Sequence, residues 1–270
     1  MSASNLFWRA RQCLCEARIQ YKLTATRRLA ADWEAGMLNT ADAGPVDPAL
    51  RPGQPPRPVL VGFTDTPRRG LGTTEGRAAF VHALAHIEFN AVNLGLDAVY
   101  RFRGMPQAFY TDWLRVAVDE ARHFEMLAGR LRELGHEYGD FVAHDGLWQM
   151  AAQTADSLVA RMALVPRLLE ARGLDVTPRM ITRLKSLNDL QTVAILQVIL
   201  HEEIGHVAVG TRWYHYACRE AGVDPEQEFY KLLKKHGKLP LPTPVNQAAR
   251  LEAGFGRNEL ERLCSPPEKD

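Results

Sequence analysis

The chain has 270 residues, 46% of them apolar and 24% charged, with 33 Lys and Arg against 32 Asp and Glu. That composition suits a globular protein with a sizeable buried core, and a formal charge of +1 argues against a dedicated nucleic-acid binder while leaving room for local basic patches. The four cysteines (Cys13, Cys15, Cys218 and Cys264) match neither a zinc-finger spacing nor a dense disulfide framework and are expected to be reduced thiols. The N-terminus lacks the apolar core of a signal peptide. The most apolar stretch, 193–200, is too short to span a bilayer, so a cytoplasmic protein is expected.

Residues 6–36 read as one helix, with Trp8, Leu14, Ile19 and Leu23 spaced among charges. Residues 37–72 hold seven prolines and no helical period, and the apolar run Val59-Leu60-Val61-Gly62-Phe63 suggests an extended strap packed on a scaffold. From Thr73 the period is helical. A first bundle helix is expected over 73–103, stopped by Gly104-Met105-Pro106, and a second over 107–134, stopped by Gly135. After a crossover at 138–146, a third is expected over 147–172, stopped by Gly173. Thr177-Pro178 has the form of an N-cap followed by proline at the first helical position. A fourth long helix starts near Ser186 or Asn188 and runs to about residue 221. A short basic helix (224–237) and a proline-rich tail complete the chain. Period-two alternation is absent outside the strap. The expected fold is therefore all-α: a four-helix bundle over 73–221, with an N-terminal helix and strap (1–72) packed on it and a C-terminal part at 222–270.

Two of these helices repeat one pattern, Glu120-Ala-Arg-His123 and Glu203-Ile-Gly-His206. A Glu-x-x-His puts a carboxylate and an imidazole on one helix face, one turn apart. A single copy says little; two copies on alternate helices of a bundle form the ligand pattern of carboxylate-bridged di-metal sites. Such a site needs one further Glu from each remaining helix. Glu88 is the one charge in a stripe of Val81, Leu84, Ala85, Ala91, Val92, Gly95 and Val99, and an unpaired carboxylate there would cost several kcal/mol unless a cation offset it. Glu88 lies 16 residues before Gly104 and Glu120 lies 16 after it, so an antiparallel pair joined there brings both carboxylates to one height, at about 1.5 Å of rise per residue. For the fourth carboxylate, spacing leaves Glu170 and Asp156 both open. Pro166, four residues before Glu170, should distort that helix locally.

The expected roles are Glu88 and His123 as terminal ligands of one metal, Glu170 and His206 of the other, and Glu120 and Glu203 as bridges. Two iron ions suit this donor set, with manganese as the alternative. Asp119 and Glu202 are candidates for the carboxylates that accept the free N–H of the ligating imidazoles. His201 and His206 are five residues apart, so they do not form the zinc-protease pair, whose histidines are four apart. His82 and His86 lie around the helix from Glu88, beside Asn90, Asn93 and Asp97, and are expected to form a polar second face or a subunit contact.

Several stretches resemble the ferritin-like family called domain of unknown function 455. They are Glu-Gly-Arg-Ala-Ala-Phe-Val-His-Ala-Leu-Ala-His-Ile-Glu at 75–88, Asp-Glu-Ala-Arg-His at 119–123, Glu-Ala-Arg-Gly-Leu-Asp at 170–175, His-Glu-Glu-Ile-Gly-His at 201–206, and the tail at 244–255. The resemblance covers nearly the whole chain. It implies a ferritin-like bundle and Glu170 as the fourth carboxylate. The Asp-Glu-Ala-Arg-His stretch is also similar to helix motifs of bacterial di-iron monooxygenases, and the nearest functional relative such a fold suggests, by fold analogy alone, is the tRNA hydroxylase that oxidises a prenylated adenosine.

These likenesses imply a di-iron carboxylate oxidase or oxygenase that activates O₂ on a small-molecule or modified-nucleoside substrate, with room for an electron-donor protein and a homodimeric assembly and no membrane. The alternatives are a ferroxidase or iron-handling protein and a non-catalytic, metal-stabilised interaction protein. More than 70 residues precede the first ligand helix; they can cover a bundle and shape a substrate pocket, which favours the oxygenase.

Overall fold

Asn5, Thr73, Ser157, Asp189, Asp224 and Asn246 each accept a hydrogen bond from the backbone N–H three residues on, and each starts a helix. The computed structural model describes residues 4–41, 43–67, 69–236, 238 and 241–265. Among the described residues all regular structure is helical, with two isolated β-bridges and no strand. The chain divides into two units, Met1–Gln149 and Met150–Asp270.

The first unit contains α1 (Leu6–Cys15), α2 (Ile19–Glu34), α3 (Thr74–Arg101) and α4 (Gln107–Glu133), and ends at α5 (Gly146–Gln153). α3 and α4 form its centre and are joined by a turn in which Gly104 takes φ +74°. They approach closely at Gly95, where a Cβ would lie 3.0 Å from Ala117 Cβ and 3.0 Å from the Trp113 carbonyl oxygen. α1 packs on α3 and α2 on α4.

The single helix expected over 6–36 is two helices. Glu16 and Arg18 are extended, and the Glu16 carboxylate takes both the backbone N–H and the guanidinium of Arg18. The break is filled by the strap: Gly53 N–H donates to the Leu14 carbonyl at 2.8 Å, and a Cβ on Gly53 would collide with the Cys15 carbonyl. Lys22, fully buried, ties the three segments together by donating to the carbonyls of Leu14 (3.0 Å) and Gly53 (3.1 Å) and to Asn93 Oδ1. Burial pulls its pKa down to about 7. Farther along, Val61 N–H donates to the Ala143 carbonyl and Ala143 N–H to that of Val59. Backbone attaches this part of the strap, since Val59 and Phe63 are exposed.

The second unit contains α6 (Leu158–Leu164), a π-helical turn (Val165–Glu170), α7 (Ala171–Ser186), α8 (Leu190–Ala221), α9 (Pro225–Lys235), α10 (Gln247–Glu252) and α11 (Arg257–Cys264). The helix expected over 147–172 is therefore interrupted twice. A turn at 154–157 separates α5 from α6, with Thr154 Oγ1 donating to the carbonyls of Met150 and Ala151. Pro166, which lacks an N–H, sits inside the π turn. Its ring lies against Gly210 of α8, where a Cβ would be 2.3 Å from Pro166 Cβ.

Gly173 does not stop the helix, and Pro178 lies inside α7 instead of starting a new one. A proline there deprives the Leu174 carbonyl of its helical donor, and the Asn246 side chain replaces it at 3.2 Å. The expected tail holds two more helices, α10 and α11. Gly237, expected to stop the basic helix, lies outside the described residues, as do 266–270.

α8 is the one helix, among the described residues, long and apolar enough to cross a membrane by length and composition. It carries His201, Glu202, Glu203 and His206 and packs on α6, α7, α9 and α10.

Candidate metal centre

In the first unit, the long apolar faces of α3 and α4 carry Glu88, Glu120 and His123 into the interior. Their exposures are 6%, 1% and 0%, so water does not solvate these charges. His123 Nδ1 lies 3.3 Å from Glu120 Oε2 and 3.5 Å from Glu88 Oε2, and the three side chains offer donor atoms within 4.8 Å of one another. Phe89 and Phe124, whose ring centroids are 5.5 Å apart, stand beside Glu88 and His123 in sequence as apolar neighbours.

Burial alone would lower the pKa of His123. Hydrogen bonds and charge from Glu120 and Glu88 outweigh it and push the imidazole up to about 11. Two buried carboxylates at this spacing demand a cation, and an imidazolium proton is the least that meets the demand. Two oxygen donors and an imidazole nitrogen also suit a divalent transition metal. The residues present fit a metal.

In the second unit, α8 places Glu203 and His206 one turn apart, with His206 Nδ1 3.2 Å from Glu203 Oε1. His206 is buried and the Glu203 side chain is 12% exposed. Glu170 is the last residue of the π turn and is half-buried. Asp156, the other candidate carboxylate, is exposed in the turn before α6 and no longer shares a helix with Glu170. His201 is exposed, and Glu202 is half-buried beside it. On α4, Asp119 is partly exposed and lies 3.6 Å from Arg122.

His82 and His86 are buried, with partners inside the first unit. Tyr138, in the crossover, covers both: its ring stacks on His82 at 5.1 Å and its hydroxyl lies 2.8 Å from His86 Nδ1. His82 Nε2 accepts the Gly139 N–H at 3.0 Å, and His86 Nε2 lies 3.0 Å from Asn90 Nδ2. Sequence reasoning missed Tyr138 and Lys22 as partners of this face, since neither lies on α3.

Burial holds both imidazoles down to about 4. An unfolded histidine titrates near 6.5, so between about pH 6.5 and 4 the unfolded chain binds the extra proton. The stability contributed by neutral His82 is thus complete above about pH 6.5 and is lost as the pH falls toward 4. His82→Gln is expected to lose less stability than wild type between pH 7 and pH 5 in urea unfolding, with its metal content unchanged. An unaltered pH slope, or a lost metal equivalent, would contradict this assignment.

The family described as Protein of unknown function (DUF455) matches residues 15–261 of this chain. A protein of Haemophilus influenzae, itself described only as uncharacterized, is 48% identical over 214 residues, which cover 77% of this chain and 74% of the relative. No solved structure matches. The family match takes in α3, α4, the π turn, α8 and most of the C-terminal helices, and with it all six candidate ligands. The chain belongs to the DUF455 family.

Proposed function

We propose that Glu88, Glu120, His123, Glu170, Glu203 and His206 hold two metal ions, and that the protein is a di-iron carboxylate oxidase or oxygenase. The observation that carries the reading is the buried Glu88–Glu120–His123 cluster, whose carboxylates converge on one imidazole with no solvent to screen them. The second Glu-x-x-His supports it, since Glu203 and His206 repeat the Glu120–His123 geometry at 3.2 Å. Iron bound by six shared protein ligands would retain open positions and supply redox and Lewis-acid chemistry toward O₂.

The chain's own part is to bind and to exclude. The carboxylates set the charge of the site. His123 and His206 would supply imidazole nitrogens to bound metal, binding it as neutral donors. The apolar residues flanking Glu88 and Glu120, among them Val92, Val116 and Phe124, are buried and keep bulk water away.

Iron-loaded, chemically reduced protein is expected to consume O₂ within minutes at an oxygen electrode. Glu170→Ala is expected to slow uptake by about tenfold or more, whereas Asp156→Ala, altering an exposed turn, keeps the wild-type rate. Inert reduced protein, even with an electron donor present, would sink the reading. Turnover of excess added Fe²⁺ without a donor would assign the centre to iron handling instead.

A further inference from the structure

The C-terminal segment grips the π turn from both sides of Glu170. On one side, Arg167 is fully buried inside the turn, and its guanidinium donates in parallel to both carboxylate oxygens of Glu259 on α11, at 2.9 and 3.0 Å. Its Nε reaches Thr211 Oγ1 of α8 at 3.3 Å. Three rings enclose it, with centroids at 4.2 Å (Phe255), 4.5 Å (Phe229) and 5.0 Å (Tyr214). On the other side, Arg250 of α10 donates to both oxygens of Asp175, at 3.0 and 2.8 Å, and to the carbonyl of Ala171, the residue after Glu170, at 3.4 Å. The backbone N–H of Asn246 adds a bond to Asp175 Oδ1 at 2.9 Å. Phe255 joins the two halves, since the Arg250 guanidinium also lies over its ring, at 5.0 Å.

A π turn is a wide, uncommon helical geometry, and this one contains a proline that removes a backbone donor. The register of this turn sets the direction of every side chain that follows it, Glu170 included. Burying two arginine–carboxylate pairs is a costly way to gain stability alone, because each charge must be desolvated. What such bidentate pairs supply is fixed geometry. Here the two pairs anchor Arg167 and Asp175, on either side of the segment that holds Glu170.

We propose that residues 246–259 form a positioning clamp for Glu170. The Arg167–Glu259 and Arg250–Asp175 pairs hold the π turn in the register that presents Glu170 to the metal centre, and these four are positioning residues that act through Glu170. The inference rests on the reading of Glu170 as a ligand.

The test uses the full chain and Mn²⁺, with binding counted from the electron paramagnetic resonance of the free ion, for wild type, Glu259→Gln, Glu170→Ala and the double variant. Glu259→Gln is expected to keep the wild-type helical circular dichroism and to bind one of two Mn²⁺ ions about 10–100-fold more weakly. In the Glu170→Ala background it should weaken binding no further. Wild-type affinity in Glu259→Gln, or an equal further loss in the double variant, would overturn the clamp. Should Glu259→Gln fail to fold, Glu259→Asp, which keeps the charge on a shorter arm, takes its place with the same expectations. A metal-free readout separates this inference from the di-metal reading: amide exchange over 165–171 should quicken by about tenfold or more in the variant while α3 and α4 stay unchanged. Unchanged exchange there overturns the clamp. A wild type that binds no second Mn²⁺ overturns the clamp's role in metal binding together with the di-metal reading, whereas unchanged exchange overturns the clamp alone.

Discussion

Glu120→Ala combined with Glu203→Ala is expected to empty the metal centre, taking iron content from about two per chain to none. The effect should be this large because these two carboxylates are the bridging candidates and each also flanks an imidazole, Glu120 at 3.3 Å from His123 and Glu203 at 3.2 Å from His206. On the proposed assignment, removing them would leave each metal one carboxylate and one histidine, too few donors for a transition ion to displace the proton and its water. Binding also links to stability. A ligand present at about 1,000 times its Kd stabilises the folded chain by about 4 kcal/mol, so added metal should raise the unfolding midpoint of wild type and leave that of the double variant unmoved. Elemental analysis and thermal unfolding with and without Fe²⁺ or Mn²⁺ check both. Two metals retained in the variant would end the assignment.

The second large effect is on stability. Arg167→Met is expected to cost about 3–5 kcal/mol, because it strands the Glu259 carboxylate, 6% exposed, without its guanidinium. The three rings around Arg167 also lose a cation within 5.0 Å. Pairing the change with Glu259→Leu removes the stranded charge and should restore most of the loss, since an apolar pair of similar volume replaces a buried ion pair at little net cost. Urea unfolding of the two variants distinguishes the outcomes: a Met variant within about 1 kcal/mol of wild type would mean that water or another cation reaches Glu259.

The parts of this fold that were legible in the sequence are those governed by local rules. Thr73 and Asp224 cap helices as their side-chain chemistry requires, whereas α8 is capped by Asp189 and not by the expected Ser186 or Asn188. Gly104 turns α3 into α4, and the equal spacing of Glu88 and Glu120 about it brings both carboxylates to His123. The misreadings share a different cause, which is compensation from far along the chain. Pro178 reads as a helix start because its lost hydrogen bond is visible locally, whereas the replacement donor, Asn246, lies 68 residues later. The break at Glu16–Arg18 depends on Gly53. His82 and His86 read as a polar face because the ring that covers them, Tyr138, belongs to the crossover. α10 and α11 escaped notice because helices of six and eight residues carry too few turns to show a period. For the site, the doubled Glu-x-x-His was legible as a pattern. The π turn that carries Glu170 was legible only as a distortion at Pro166, since its supports, Glu259 and Arg250, come from the end of the chain.

The most direct measurement of the central claim is anomalous diffraction at the iron edge on crystals of iron-loaded protein, together with elemental analysis of the same sample. Two peaks per chain about 3.5–4 Å apart, one beside Glu88 and His123 and the other beside Glu170 and His206, are the predicted result. A single peak bound by Glu88, Glu120 and His123 alone, or no peak at these residues in protein that carries iron, would contradict the account.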